Sequence, residues 1–249
     1  MNSALIASVS KFKPISLDEM NSVALMKRTD TKFVININYL PIVLNTLLNT
    51  YQILEIEGRR IMNYSSLYFD TEDFKFYLDH HNGRVNRTKI RQRKYVDSDL
   101  TFLEIKKKNG KGETNKFRIK IDDFETKLSK KSREFISEIT SQDYNLLPSL
   151  WNSFHRITLV NLNDNERVTI DLNLTYTNKD KEKKYSNIVV VELKQSRFNR
   201  KSPVVKVLKN IGHHPYSISK YCIGVANLYQ HVKQNIFKSK LLNINKISA

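Results

Sequence analysis

The stretch Val85-Asn-Arg-Thr-Lys-Ile-Arg-Gln-Arg-Lys-Tyr95, followed closely by Leu100-Thr-Phe-Leu-Glu-Ile-Lys-Lys-Lys108 and Thr114-Asn-Lys-Phe-Arg-Ile-Lys-Ile121, decides the fold. Successive side chains of a β-strand point to opposite faces, so alternation sorts residues by face. Arg87, Lys89, Arg91 and Arg93 share one face. Glu104, Lys106 and Lys108 oppose Leu103 and Ile105, while Lys116, Arg118 and Lys120 oppose Phe117, Ile119 and Ile121. The connections are short, which makes the three strands antiparallel neighbours. Gly110-Lys111-Gly112 reads as the hairpin turn between the last two.

The same two-faced pattern recurs on both sides of this meander. Arg28, Asp30 and Lys32 alternate within a strand expected over 27–38, and Arg156 points away from Ile157 and Leu159 in one over 153–161. Arg167, Thr169 and Asp171 oppose Val168, Ile170 and Leu172, and Glu192 and Lys194 oppose Val191 and Leu193. With a strand over 60–69, the count is eight, and 51–57 offers a ninth. Eight is a natural number for closing a small barrel. Ser16-Leu17-Asp18-Glu19 has the capping-box form of a helix start. Further helices are expected over 40–49, 72–79, 128–139, 203–210 and about 219–234, with Ser202-Pro203 as N-cap and first helical residue. The last fifteen or so residues read as a fraying tail, and 179–184 as a charged hairpin tip.

The chain has 249 residues with 42 Lys and Arg against 25 Asp and Glu, a net charge of +17, and 40% hydrophobic residues. That is enough apolar material for one folded domain and excludes a disordered basic tail. Neither G-x-x-x-x-G-K-[ST] nor G-x-G-x-x-G occurs, so the glycine-rich phosphate loops are excluded. The single Cys222 leaves no disulfide framework or thiolate zinc cluster and suits a reducing, cytoplasmic setting. The apolar run 4–9 is not expected to be a signal peptide, and no run approaches the ~18 apolar residues of a membrane span. The six histidines show no H-E-x-x-H or comparable spacing and read as structural or surface residues.

Any single strand of this kind is accounted for by an ordinary sheet with one solvated face. Taken together, the strands carry too many Arg and Lys and too few scattered acids for that. If the charged face turns inward, about ten cations surround a narrow lumen, and their repulsion requires a polyanion. Nucleic acid is not expected, because stacking platforms are missing: Thr88, Ile90 and Gln92 separate the cations of 87–93. A chain of phosphates fits better.

These segments resemble the VTC-type polyphosphate polymerase domains of the CYTH, or triphosphate tunnel metalloenzyme, superfamily, over roughly residues 24–230. The resemblance is carried by Met26-Lys-Arg-Thr-Asp-Thr-Lys-Phe33, Ser66-Leu-Tyr-Phe-Asp-Thr71, Lys89-Ile-Arg-Gln-Arg-Lys-Tyr95, Phe102-Leu-Glu-Ile-Lys-Lys-Lys108, Arg167-Val-Thr-Ile-Asp171, Val191-Glu-Leu-Lys194 and Ser219-Lys-Tyr221, in order and spacing. It implies an α+β fold, a closed eight-stranded antiparallel β tunnel with flanking helices. The expected division is an N-terminal lead-in helix over 1–26, the tunnel domain over 27–231 and a tail over 232–249.

The resemblance assigns Lys32, Arg91, Arg93, Lys106, Arg156, Arg167 and Lys220 to the reacting phosphates, with Lys89, Lys116, Arg118 and Lys194 as further substrate-binding cations. It makes Glu192 the ligand of Mn²⁺ or Mg²⁺, with Glu104 as a second candidate; Glu104 and Asp171 otherwise orient cations. The implied partners are ATP and polyphosphate or triphosphate. Tunnel phosphatases of the superfamily begin with E-x-E-x-K, where this chain has Arg28, Asp30 and Lys32. Hydrolysis needs carboxylates to orient and deprotonate water, whereas an ionised phosphate acceptor needs positioning and charge neutralisation. The expected activity is therefore transfer of the γ-phosphoryl of ATP to a polyphosphate chain. The alternatives are a tripolyphosphate or nucleoside triphosphate phosphatase and a non-catalytic polyphosphate-binding module.

Overall fold

The computed structural model describes residues 3–22, 29–111 and 113–248, so Arg28 and Gly112 lie outside the described residues. In chain order the helices and strands are α1 (Ser3–Ser10), β1 (Pro14–Ile15), α2 (Leu17–Ser22), β2 (Thr29–Asn36), α3 (Leu40–Leu47), β3 (Gln52–Leu54), β4 (Met62–Asp70), α4 (Lys75–His81), β5 (Arg87–Tyr95), β6 (Leu100–Lys108), β7 (Thr114–Ile121), α5 (Lys130–Thr140), β8 (Leu147–Asn161), β9 (Glu166–Thr177), β10 (Glu182–Tyr185), β11 (Ile188–Gln195), α6 (Pro203–Asn210), α7 (Lys220–Leu228) and α8 (Asn235–Ser248). The capping box is formed: Ser16 N–H donates to Glu19 Oε2 at 2.8 Å and Glu19 N–H to Ser16 Oγ at 3.2 Å.

The meander pairs as the alternation requires, with Arg91 opposite Glu104 and Glu104 opposite Arg118. Closure is corrected. The sheet is open and has eleven strands among the described residues, not eight in a closed tunnel. Eight of them follow the path β2-β11-β9-β8-β4-β5-β6-β7, and β1, β3 and β10 are attached to its side. The two ends, β2 and β7, do not pair. The main chain after α6 takes the β2 edge instead: Tyr216 N–H donates to the Lys32 carbonyl at 2.6 Å. That contact occupies a backbone group a closing strand would have used.

The convex side is covered by two apolar layers. Phe33, Ile35, Ile157, Leu159, Ile170, Val191 and Leu193 pack against α3 and α6, and Leu67, Ile90, Leu103 and Ile105 pack with Ile136 of α5. On the concave side Val34, Leu150, Leu174, Tyr176 and Val190 receive α7 and α8. Asn173, at φ 51°, shifts the alternation of β9, so that Asp171 and Leu174 both face the concave side. Gly224 lets α7 sit close, because a Cβ there would lie 2.5 Å from Leu150 Cδ2.

Two further expectations are corrected. The helix expected over 219–234 ends at Leu228, and the expected tail forms α8. Phe237 and Ile244 are buried, Leu241 and Ile247 pack beside them, and Asn36 Nδ2 donates to the Ile247 carbonyl at 2.6 Å.

Candidate functional site

α7 fills one half of the concave face with apolar side chains; the other half is ionic. Lys32, Lys89, Arg91, Arg93, Lys106, Lys116, Arg156, Lys194 and Lys220 surround three carboxylates, Glu104, Asp171 and Glu192. Each carboxylate is held by two cations. Asp171, 1% exposed, takes Arg156 in a fork, Nε to Oδ1 at 2.6 Å and a terminal nitrogen to Oδ2 at 2.8 Å, and also pairs with Lys220. Glu104, fully buried, accepts Arg91 Nε at 2.8 Å and a terminal nitrogen at 2.6 Å, and pairs with Lys116. Glu192 lies 2.7 Å from Lys194 Nζ and 3.5 Å from Lys32 Nζ.

Two of the remaining inner cations find neutral partners. Lys89 donates to Ser219 Oγ at 2.9 Å, and Arg93 Nε to Ser66 Oγ at 3.3 Å. Among the described residues Lys106 has no carboxylate at ion-pair distance; its ammonium is pushed well below the ordinary lysine range by Arg91, by burial and by Arg93. Burial likewise lowers Lys89, Lys194 and Lys220. Against the opposing effect of burial, Arg91, Arg93 and Lys116 hold Glu104 below the usual carboxylate range, Arg156 and Lys220 do the same for Asp171, and Lys194 and Lys32 for Glu192. All three acids are ionised at neutral pH, and the site retains a large positive surplus.

Aromatic rings absorb part of that surplus. Tyr64 and Phe154, opposite each other on β4 and β8, stack with centroids 5.2 Å apart. Arg156 lies over both at 5.0 and 5.2 Å, Arg93 at 5.6 and 5.8 Å, and Lys220 over Phe154 at 4.8 Å. Arg91 donates to Tyr68 at 3.3 Å and lies over its ring at 5.9 Å. The negative ring faces steady these cations without placing a full negative charge where a phosphate would go. The sequence expectation that aromatics are missing from the charged face is corrected: they come from neighbouring strands, not from between the cations of β5. The pairings Tyr68–Arg91 and Tyr64–Phe154 are matters of register.

Two expected residues stand at the margin. Arg118 is exposed over the Phe102 ring at 4.8 Å, and Arg167 donates to the Met20 carbonyl at 3.1 Å, at the end of the site covered by α2. Ser219 and Lys220 are carried in by the start of α7, where Ser219 Oγ also caps Cys222 N–H.

No three His, Cys, Asp or Glu side chains come together as a metal cage among the described residues. Glu192 has the most accessible carboxylate of the three, at 18% against 0% and 1%. One carboxylate suits a small divalent ion that takes its other ligands from phosphates and water. No helix among the described residues is long and apolar enough to cross a membrane.

The site is thus an antiparallel sheet that presents cations on its concave side, with the start of α7 carried among them. The chain belongs to the VTC domain family, whose sequence profile matches residues 27–229. A Hippeastrum protein described as an adenylyl cyclase candidate with a dominant triphosphatase activity shares the fold: TM-score 0.52, 15% identity, 81% of this chain and 96% of that one. A Vibrio parahaemolyticus adenylate cyclase candidate aligns with TM-score 0.48 and 7% identity, over 80% of this chain and 99% of that one. No curated protein matches the chain.

Proposed function

We propose that this chain is a phosphotransferase of the polyphosphate polymerase type, which moves the γ-phosphoryl of ATP onto the end of a polyphosphate chain. One observation supports the reading: Glu104, Asp171 and Glu192, the three carboxylates set among these cations, are each held by two of them. Held in this way, these three are poorly placed to act as a general base on water. The acceptor in polymerisation is already ionised and needs none. The bond from the γ-phosphorus to the β,γ-bridging oxygen breaks, a bond from the same phosphorus to a terminal oxygen of the acceptor forms, and ADP leaves.

In this reading Arg91, Arg93 and Arg156 grip phosphate oxygens through planar donor forks, while Lys32, Lys89, Lys106, Lys116, Lys194 and Lys220 act as point charges. Arg118 and Arg167 serve the two ends of the chain. Glu104 and Asp171 fix the forks of Arg91 and Arg156. Glu192 would hold Mn²⁺ or Mg²⁺, which when bound supplies charge neutralisation on the phosphate oxygens.

Incubation with ATP and Mn²⁺ is expected to yield ADP and an anionic polymer that runs as a ladder on a urea gel. Release of orthophosphate alone, with tripolyphosphate the better substrate, would establish the triphosphatase reading, which the described activity of the Hippeastrum protein favours. Tight polyphosphate binding without turnover would make the chain a binding module.

A further inference from the structure

Like charges directly opposite each other in an antiparallel pair repel, yet β5 and β6 set Lys89 against Lys106 and, two residues further out, Arg87 against Lys108. Among the described residues none of these four has a carboxylate within ion-pair distance. The deeper cation Arg91 is held by Glu104, so the pattern of compensation stops toward this end of the strands. His80 of α4 is held neutral by burial and by the surrounding Lys89, Arg87, Lys240 and Lys108.

We propose that Arg87 and Lys108 form an outer subsite for the phosphate chain, which continues the row of cations to the end of the concave face and makes the protein prefer long chains. The proposal rests on the reading of the concave face as a phosphate site. Arg87 stands four residues from Arg91, about 13 Å along the strand, so a triphosphate held at Arg91 and Arg93 stops short of it. A long chain supplies the anions that these cross-strand pairs lack.

The test is the double variant R87Q/K108Q, with tripolyphosphate and long-chain polyphosphate titrated by calorimetry over a range of salt concentrations. The expected result is at least a tenfold loss of affinity for the long chain and a salt slope shallower by about one to two, as for two lost phosphate contacts. Tripolyphosphate affinity should change less than twofold. The Tm without anions should hold or rise, because a repulsive pair has been removed. Equal losses for both ligands, or none for the long chain, overturn the outer subsite while leaving the inner site standing. A wild-type protein that binds neither ligand overturns both. An oligonucleotide of matched charge that binds as tightly as polyphosphate, and loses as much in the variant, overturns the assignment in favour of nucleic acid.

Discussion

Replacing Asp171 by Asn tests the electrostatic logic of the site most directly. Asp171 is 1% exposed and anchors both Arg156 and Lys220, so the substitution leaves two buried cations without their anion. Removing one partner from a buried ion pair costs about 3–5 kcal/mol. Arg156 and Lys220 keep their places over Phe154, which moves the expectation toward the lower end. For a protein of this size each kcal/mol corresponds to roughly 2–4 °C in Tm, so thermal unfolding in anion-free buffer should fall by on the order of 6–15 °C. Phosphate then becomes the missing anion. Ligand at a hundred times its Kd stabilises a folded protein by about 2.7 kcal/mol, and tripolyphosphate should raise the Tm of D171N by more than it raises that of the wild type. A variant whose Tm stays within about 2 °C of wild type without anions, or which tripolyphosphate stabilises less than the wild type, would refute the claim that Asp171 supplies the anion that Arg156 and Lys220 need.

Glu192→Ala should abolish turnover yet keep tripolyphosphate binding, and Mn²⁺ should bind the wild type tightly only with a triphosphate present; paramagnetic resonance of Mn²⁺ with and without tripolyphosphate distinguishes this from a preformed site. Lys89, Lys106, Lys194 and Lys220 have lowered pKa values in the free protein, so the folded state binds fewer protons than the unfolded one and its stability should rise with pH toward the ordinary lysine range. Bound phosphates restore those protons, so calorimetry in buffers of different ionisation enthalpy should show proton uptake and affinity falling as pH rises; proton release would contradict it. Glu104, Asp171 and Glu192 are lowered as well, which for a carboxylate favours the charged form, and their stabilisation should be lost as pH drops below about 4 in an acid titration followed by circular dichroism. Gly224→Ala forces a methyl against Leu150 and Tyr176 and should destabilise by about 1–3 kcal/mol in denaturant melts; an unchanged midpoint would show that α7 is free to shift.

How much was legible follows from where each signal resides. The meander β5–β6–β7 and the faces of its cations follow from period-two alternation within each strand, and most of the charged residues named from it meet in the structure. The stripe of α8, at 237, 241, 244 and 247, was equally present as a helical period. Its many Asn and Lys residues made it read as tail composition. β10 was hidden by its charges, although Tyr185 is buried and Lys183 lies over its ring. The ring contacts of Arg93, Arg156 and Lys220 depend on which residues of β4 and β8 face each other, a pairing that no single strand encodes. Closure failed as an expectation for a similar reason. The run 213–218 has no strand period, yet its backbone takes the β2 edge.

That last contact ties solubility to ligand binding. The segment that shields the β2 edge runs directly into Ser219 and Lys220, and Lys32 Nζ donates to its Ile218 carbonyl at 3.3 Å. Lifting the segment would withdraw the partner of Lys89 and the ammonium beside Asp171. The same movement would bare backbone donors and acceptors that another chain can pair with. On the proposed function, a polyanion that bridged Lys220 to the sheet would therefore also guard against self-association, and preparations stripped of phosphate should be the first to aggregate.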